Sequence, residues 1–182
     1  MVIIREIASP YQVKMFGQDE EGNIVHHQNV ELTLREINKL YLQLQTQLAA
    51  SPADRPTIHT PEDAYPILEP FLAPLSREEL WVLCLSTRNK VTSINQIYKG
   101  SLNSSNVRVG ELFRQAIMEQ SAAIIVAHNH PSGDPMPSPD DVAVTRAIVE
   151  AGRLLDIDVL DHLVISVSGF ISLKQRGLGF SD

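Results

Sequence analysis

The stretch from residue 122 to 155 constrains the fold more than any other. An apolar run, Ala122-Ala-Ile-Ile-Val-Ala127, passes into His128-Asn129-His130 and then into a turn with proline or glycine at every second position from Pro131 to Pro139. Bounded by such a turn, a run this short reads as a buried strand. The turn ends in Ser138-Pro139-Asp140-Asp141. That is a capping box in form, with Ser138 at the N-cap, Pro139 at the first helical position and Asp141 at the third, and it predicts a helix over 139–155. Strand, rigid turn and helix in that order call for an α/β domain.

The same stretch carries chemistry. Residues two apart on a strand point to one side, so His128 and His130 present both imidazoles together, and the turn can fold a carboxylate back against them. The strand's C-terminal end is also where open α/β sheets place their sites. Two imidazoles and one carboxylate leave the fourth position of a tetrahedral metal free for water, as in a catalytic zinc site. Spacing alone does not separate Asp141 from Asp140 as the carboxylate, and Asp134 is a weaker third. A base is still needed. Glu79 directly precedes the apolar run Leu80-Trp-Val-Leu-Cys-Leu85, and Glu111 begins a later helix. Ser76-Arg-Glu-Glu79 also reads as a capping box for a short turn, which would give Glu79 a purely local duty.

Elsewhere the pattern is regular. Residues 11–30 read as a hairpin turning at Asp19-Glu-Glu-Gly22. Thr33-Leu-Arg-Glu36 opens a helix through about Leu48, with Ile37, Leu40, Tyr41, Leu44 and Leu48 on one apolar stripe. Residues 49–56, polar and proline-bearing, form the best linker, so the expected domains are 1–56, a small α+β extension, and 57–182. In the second, Thr60-Pro61 caps a helix, 80–85 is a central strand, 87–90 its turn and 91–100 the returning strand. A helix follows over 107–120, then the strand, turn and helix already described, and final strands over 159–167 and 170–173. The chain of 182 residues has 15 basic and 22 acidic side chains and a net charge of -7, with no basic cluster to prepare a surface for nucleic acid. No stretch is long and apolar enough to span a membrane, and the N-terminus lacks the h-region of a signal. A single cysteine, Cys84, excludes an internal disulfide and the multi-thiolate structural zinc sites. The cytoplasm is the expected compartment.

Read together, Glu, a long interval, His-x-His, seven residues, Ser, two residues and Asp resemble the signature of the JAMM or MPN+ zinc metalloproteases. The stretch from Leu85 to Phe180 resembles their RadC-like branch. The matching pieces are Leu85-Ser-Thr-Arg-Asn-Lys-Val91, Gly100-Ser-Leu-Asn-Ser-Ser105, Ala127-His-Asn-His-Pro-Ser-Gly133, Pro137-Ser-Pro-Asp-Asp141 and Asp161-His-Leu-Val-Ile165. The resemblance covers roughly residue 57 to the C-terminus. It implies an α/β fold of JAB/MPN type, related to cytidine deaminases, with a mixed sheet flanked by helices. It implies one zinc ion per chain on His128, His130 and Asp141, Glu79 as catalytic acid–base, and Ser138 as a hydroxyl holding the oxyanion. The implied activity is hydrolysis of an amide or isopeptide bond in a peptide or protein substrate laid along an edge strand.

Two other functions compete. The branch carries a DNA-repair label, but residues 1–56 lack the helix-hairpin-helix pattern and basic character that DNA contact needs. A non-catalytic scaffold would be expected to have lost part of the metal set, and every member is present. Asp161 and His162 are either a turn carboxylate and a buried histidine or groups that orient a ligand and the helix bearing Asp141. Asn129, alternating away from the histidines, is expected to bond within the turn. Trp81 is expected in the core, and Asn103, Ser104 and Ser105 in a loop beside the cleft. The N-terminal extension could cap the sheet, form a homodimer contact or recruit substrate.

Overall fold

The computed structural model describes residues 13–18, 24–30, 51, 53–100 and 107–180. The chain separates into two compact units, residues 1–46 and 47–182. In the first, β1 (Val13–Gln18) and β2 (Ile24–Val30) pair antiparallel, with a register irregularity between Val13 and Met15. The helix expected over 33–48 and the loop residues Asn103, Ser104 and Ser105 lie outside the described residues.

The second unit contains α1 (Pro61–Leu72), β3 (Glu79–Leu85), β4 (Val91–Lys99), α2 (Val109–Met118), β5 (Ala123–Asn129), α3 (Pro139–Leu155), β6 (Asp158–Ser166) and β7 (Gly169–Ser172). Its sheet runs β4-β3-β5-β6-β7, antiparallel throughout except for the parallel pair β5 and β6. That pair is joined by α3, as a parallel connection requires. The described linker residues are bonded to the β3–β4 turn: Thr57 bridges Lys90, and the Val91 amide donates to the Pro56 carbonyl at 2.9 Å.

Alternation along the strands makes two faces. On one, Leu80, Val82, Cys84, Ile124 and Val126 pack against Leu112, Phe113 and Ala116 of α2 and Val144 and Ile148 of α3. On the other, Trp81 meets Phe71 of α1, the ring centroids 5.4 Å apart. Helices therefore cover both sides of a mixed sheet, as the expected α/β fold requires. Thr60 caps α1 in a full capping box with Asp63, offsetting the backbone bonds lost at Pro66 and Pro70 inside the helix. β5 is buried at every residue, flanked on both sides by strands and on both faces by helices. The strand continues through His128 and Asn129, so the site starts inside the sheet rather than in the turn after it.

Candidate metal centre

His128, His130 and Asp141 meet where β5 ends and α3 begins. Each offers one ligand atom, and these atoms all lie within 4.8 Å of one another. The two Nε2 atoms are 3.1 Å apart. Asp141 Oδ1 stands 3.2 Å from His128 Nε2 and Oδ2 3.4 Å from His130 Nε2. A tetrahedral ion with bonds of about 2.0–2.1 Å has edges of about 3.3 Å. The two imidazole nitrogens stand about one such edge apart, a carboxylate oxygen lies near each, and the donor set has the chemistry for a divalent cation.

Local structure explains the convergence. Ser138 and Asp141 form the expected capping box: the Ser138 amide and hydroxyl each donate to Asp141 Oδ2 at 2.7 Å, and the Asp141 amide donates to Ser138 Oγ at 3.2 Å. One carboxylate therefore both caps the helix and faces the imidazoles. Burial pushes the Asp141 pKa up, but the hydrogen bonds that the His128 and His130 rings give when protonated, the charge of His128 and the Ser138 bond outweigh it and hold it well below the usual carboxylate range. The His130 pKa is raised, first by its hydrogen bond with Asp141, against the effect of burial, then by the Asp134 carbonyl and the charges of Asp141 and Glu78. Asp140 is exposed on the first turn of α3 and stays outside the group. Asp134 contributes its backbone carbonyl, 3.0 Å from His130 Nδ1.

Glu79 does not join these residues. Leu80 is the register partner of His128, and partners share a face, so Glu79, one residue back, lies on the opposite side of the sheet. Its Oε2 accepts from Trp81 Nε1 at 3.1 Å and from Gln96 Nε2, and its Oε1 pairs with Lys99 at 3.2 Å. The sequence placed an acid beside the metal but not the face to which it points. Glu78 stands one residue ahead of β3, its carbonyl accepting from the Gly100 amide at 2.9 Å. Glu111 pairs with Arg108 at 3.6 Å and borders a hollow of about 210 Å³ with Asn95 and Gln96, away from the histidines.

Three further residues support the site. His162 is fully buried, with Nε2 2.8 Å from His128 Nδ1 and Nδ1 2.6 Å from Thr145 Oγ1. Thr145 Oγ1 also donates to the Asp141 carbonyl at 2.6 Å. Burial, followed by the charge of His128, lowers the His162 pKa well below its ordinary value. Asp161 faces elsewhere, accepting from the His162 amide, Ser172 Oγ and the Lys174 amide. Asn129 is buried: its Oδ1 accepts from the Glu79 amide at 2.8 Å, and its Nδ2 donates to the carbonyls of Leu75 and Arg77. It therefore fastens the entry to β3 onto β5 rather than bonding within the turn. Thr145 stands four residues after Asp141, a helical spacing the sequence displayed; the partnership of Asn129 with residues 75–79 had no local signal.

The RadC-like JAB domain family matches residues 58–178. A UPF0758 protein of Roseiflexus castenholzii is 54% identical over 133 residues, 73% of this chain and 57% of its own length. Another, from Chloroflexus aurantiacus, is 49% identical over 143 residues, 78% of this chain and 62% of its own length. A third, from Moorella thermoacetica, is 46% identical over 140 residues. The matched stretch thus spans about three fifths of these relatives (57–62%). With its five-stranded mixed sheet, its flanking helices and a His-His-Asp group able to hold a metal, the chain belongs to the RadC-like JAB domain family.

Proposed function

We propose that this domain is a zinc-dependent hydrolase that cleaves an amide or isopeptide bond in a peptide or protein substrate. The observation that carries the reading is the donor set of His128, His130 and Asp141, whose ligand atoms all lie within 4.8 Å of one another and are backed by buried hydrogen bonds. Bound there, a divalent ion supplies a coordinated water of lowered pKa, about 7, and polarises the carbonyl oxygen of the substrate. His128, His130 and Asp141 hold it.

The proton transfers fall to a glutamate. Glu79 was the residue expected, but Trp81, Gln96 and Lys99 hold its carboxylate on the far face. Glu78 is the better base, because its charge reaches His130, and alternation back from Leu80, the partner of His128, would turn it toward the His128 face. In this reading Glu78 accepts a proton from water and returns it to the leaving amine. The Ser138 hydroxyl already donates to Asp141, so holding an oxyanion would require it to turn away from that carboxylate. Nothing in the charge balance or the site favours the DNA-directed alternative, and the complete donor set disfavours a scaffold without chemistry.

Metal content and peptide hydrolysis, measured on the same preparations, test the reading. Wild type should hold about one zinc per chain, and His128→Ala or Asp141→Ala should hold little. Glu78→Gln should keep the metal and lose about 10²–10⁴-fold in turnover, whereas Glu79→Gln should keep most of both. Absence of zinc after reconstitution would sink the enzyme reading. Full activity of Glu78→Gln alongside a dead Glu79→Gln would return the role of base to Glu79.

A further inference from the structure

We propose that Thr145 and His162 act as positioning residues that set the tautomer of His128, so that its Nε2 is presented as a bare lone pair before any metal arrives. The argument follows the protons. A backbone carbonyl can only accept, so the single proton of the Thr145 hydroxyl is committed to the Asp141 carbonyl at 2.6 Å. The same oxygen lies 2.6 Å from His162 Nδ1, so that nitrogen must be the donor of the second bond. With its one proton on Nδ1, the fully buried His162 ring has a lone pair on Nε2, which stands 2.8 Å from His128 Nδ1. The proton in that last bond therefore belongs to His128, and its Nε2 is left free to face His130 and Asp141.

Other contacts hold the relay in this direction. His162 and Thr145 are both buried, at 0% and 1% exposure, so water does not compete for either bond. The C-terminal segment passes close to Thr145: a Cβ added at Gly179 would come within 2.8 Å of Thr145 Cβ, so only a glycine fits there. His130 is oriented by a simpler contact, its Nδ1 donating to the Asp134 carbonyl, which leaves Nε2 as the atom that faces Asp141. Ligating histidines commonly direct their second nitrogen to a carboxylate, carbonyl or water. Here the acceptor is a second imidazole, whose direction is fixed by a hydroxyl on the helix that carries Asp141. One relay thereby couples the orientation of a β5 ligand to the position of the α3 ligand.

The inference rests on the metal-binding reading but not on peptidase activity. The test is long-range proton–nitrogen correlation on apo protein labelled with ¹⁵N-histidine, with zinc affinity measured by chelator competition. In wild type, His128 should carry its proton on Nδ1. Thr145→Val should mix the His128 tautomers and weaken zinc binding about 10–100-fold, and Thr145→Ser, which keeps the hydroxyl, should restore both. Finding the proton on Nε2 of His128 in wild type would overturn the proposal without any variant having to fold. Wild-type affinity in a folded Thr145→Val protein would overturn it too. Failure of the underlying reading looks different, because wild type would then bind no zinc while the tautomer could still be read.

Discussion

At the scale of single residues, the site turns on side chains that serve two purposes at once. Asp141 is both the third residue of a capping box and a prospective ligand, so Ser138 influences the metal through the carboxylate it holds. Ser138→Ala should cost about 1 kcal/mol in stability, the usual loss for an N-cap, and should also weaken zinc binding by freeing Asp141 to rotate. Denaturant titration and chelator competition on one preparation would check both. A loss of turnover with stability and zinc affinity unchanged would instead assign the hydroxyl to the substrate. Sequence alone showed this capping box and the histidine pair because each is local: a strand places i and i+2 together, and a helix start places N-cap and N3 together. The choice between Glu78 and Glu79 was not local. It depends on which residue of β3 pairs with His128, a register fixed by contacts about fifty residues away in the chain, and a shift of one position exchanges the two faces.

At the scale of elements, the loop entering β3 and the helix leaving the metal are each held by one close approach. Asn129 carries three bonds to the 75–79 segment, with nothing else shown to take the Glu79 amide in its place. Asn129→Ala should leave buried donors and acceptors unsatisfied and cost on the order of 1–3 kcal/mol. It should also speed hydrogen exchange at the Glu79 amide ahead of the rest of β3. Uniform exchange across β3 in that variant would argue against a local latch. Gly152, on the last turn of α3, has no room for a side chain: a Cβ there would come within 2.6 Å of the Ile157 carbonyl and 2.8 Å of Val159. Gly152→Ala should therefore destabilise the domain by about 1–3 kcal/mol through overpacking, visible as a lower denaturant midpoint with zinc stoichiometry intact. The order of helices and strands was legible from periodicity and turn residues. The latch was not, since an asparagine between two histidines carries no sign of what lies across the sheet.

At the scale of the whole molecule, the metal group joins parts that the chain order keeps separate. β5 and the residue just past its end supply two candidate ligands, α3 the third, and β6 the imidazole behind them, and these elements form the parallel crossover at the centre of the sheet. A cation bound only by the folded arrangement must stabilise that crossover by mass action. At a free zinc concentration one hundred times the dissociation constant the gain is about 2.7 kcal/mol. For a unit of this size that corresponds to a rise in midpoint on the order of 10 °C. Thermal unfolding of wild type with zinc and with excess chelator should show that difference, and His130→Ala should remove it. The variant also isolates the cause. His130 is the least buried of the three, at 14% side-chain exposure, and lies just beyond the end of β5, so its loss should leave the chelated midpoint nearly unchanged. A zinc-dependent rise of the same size in His130→Ala would mean that the ion acts elsewhere on the chain.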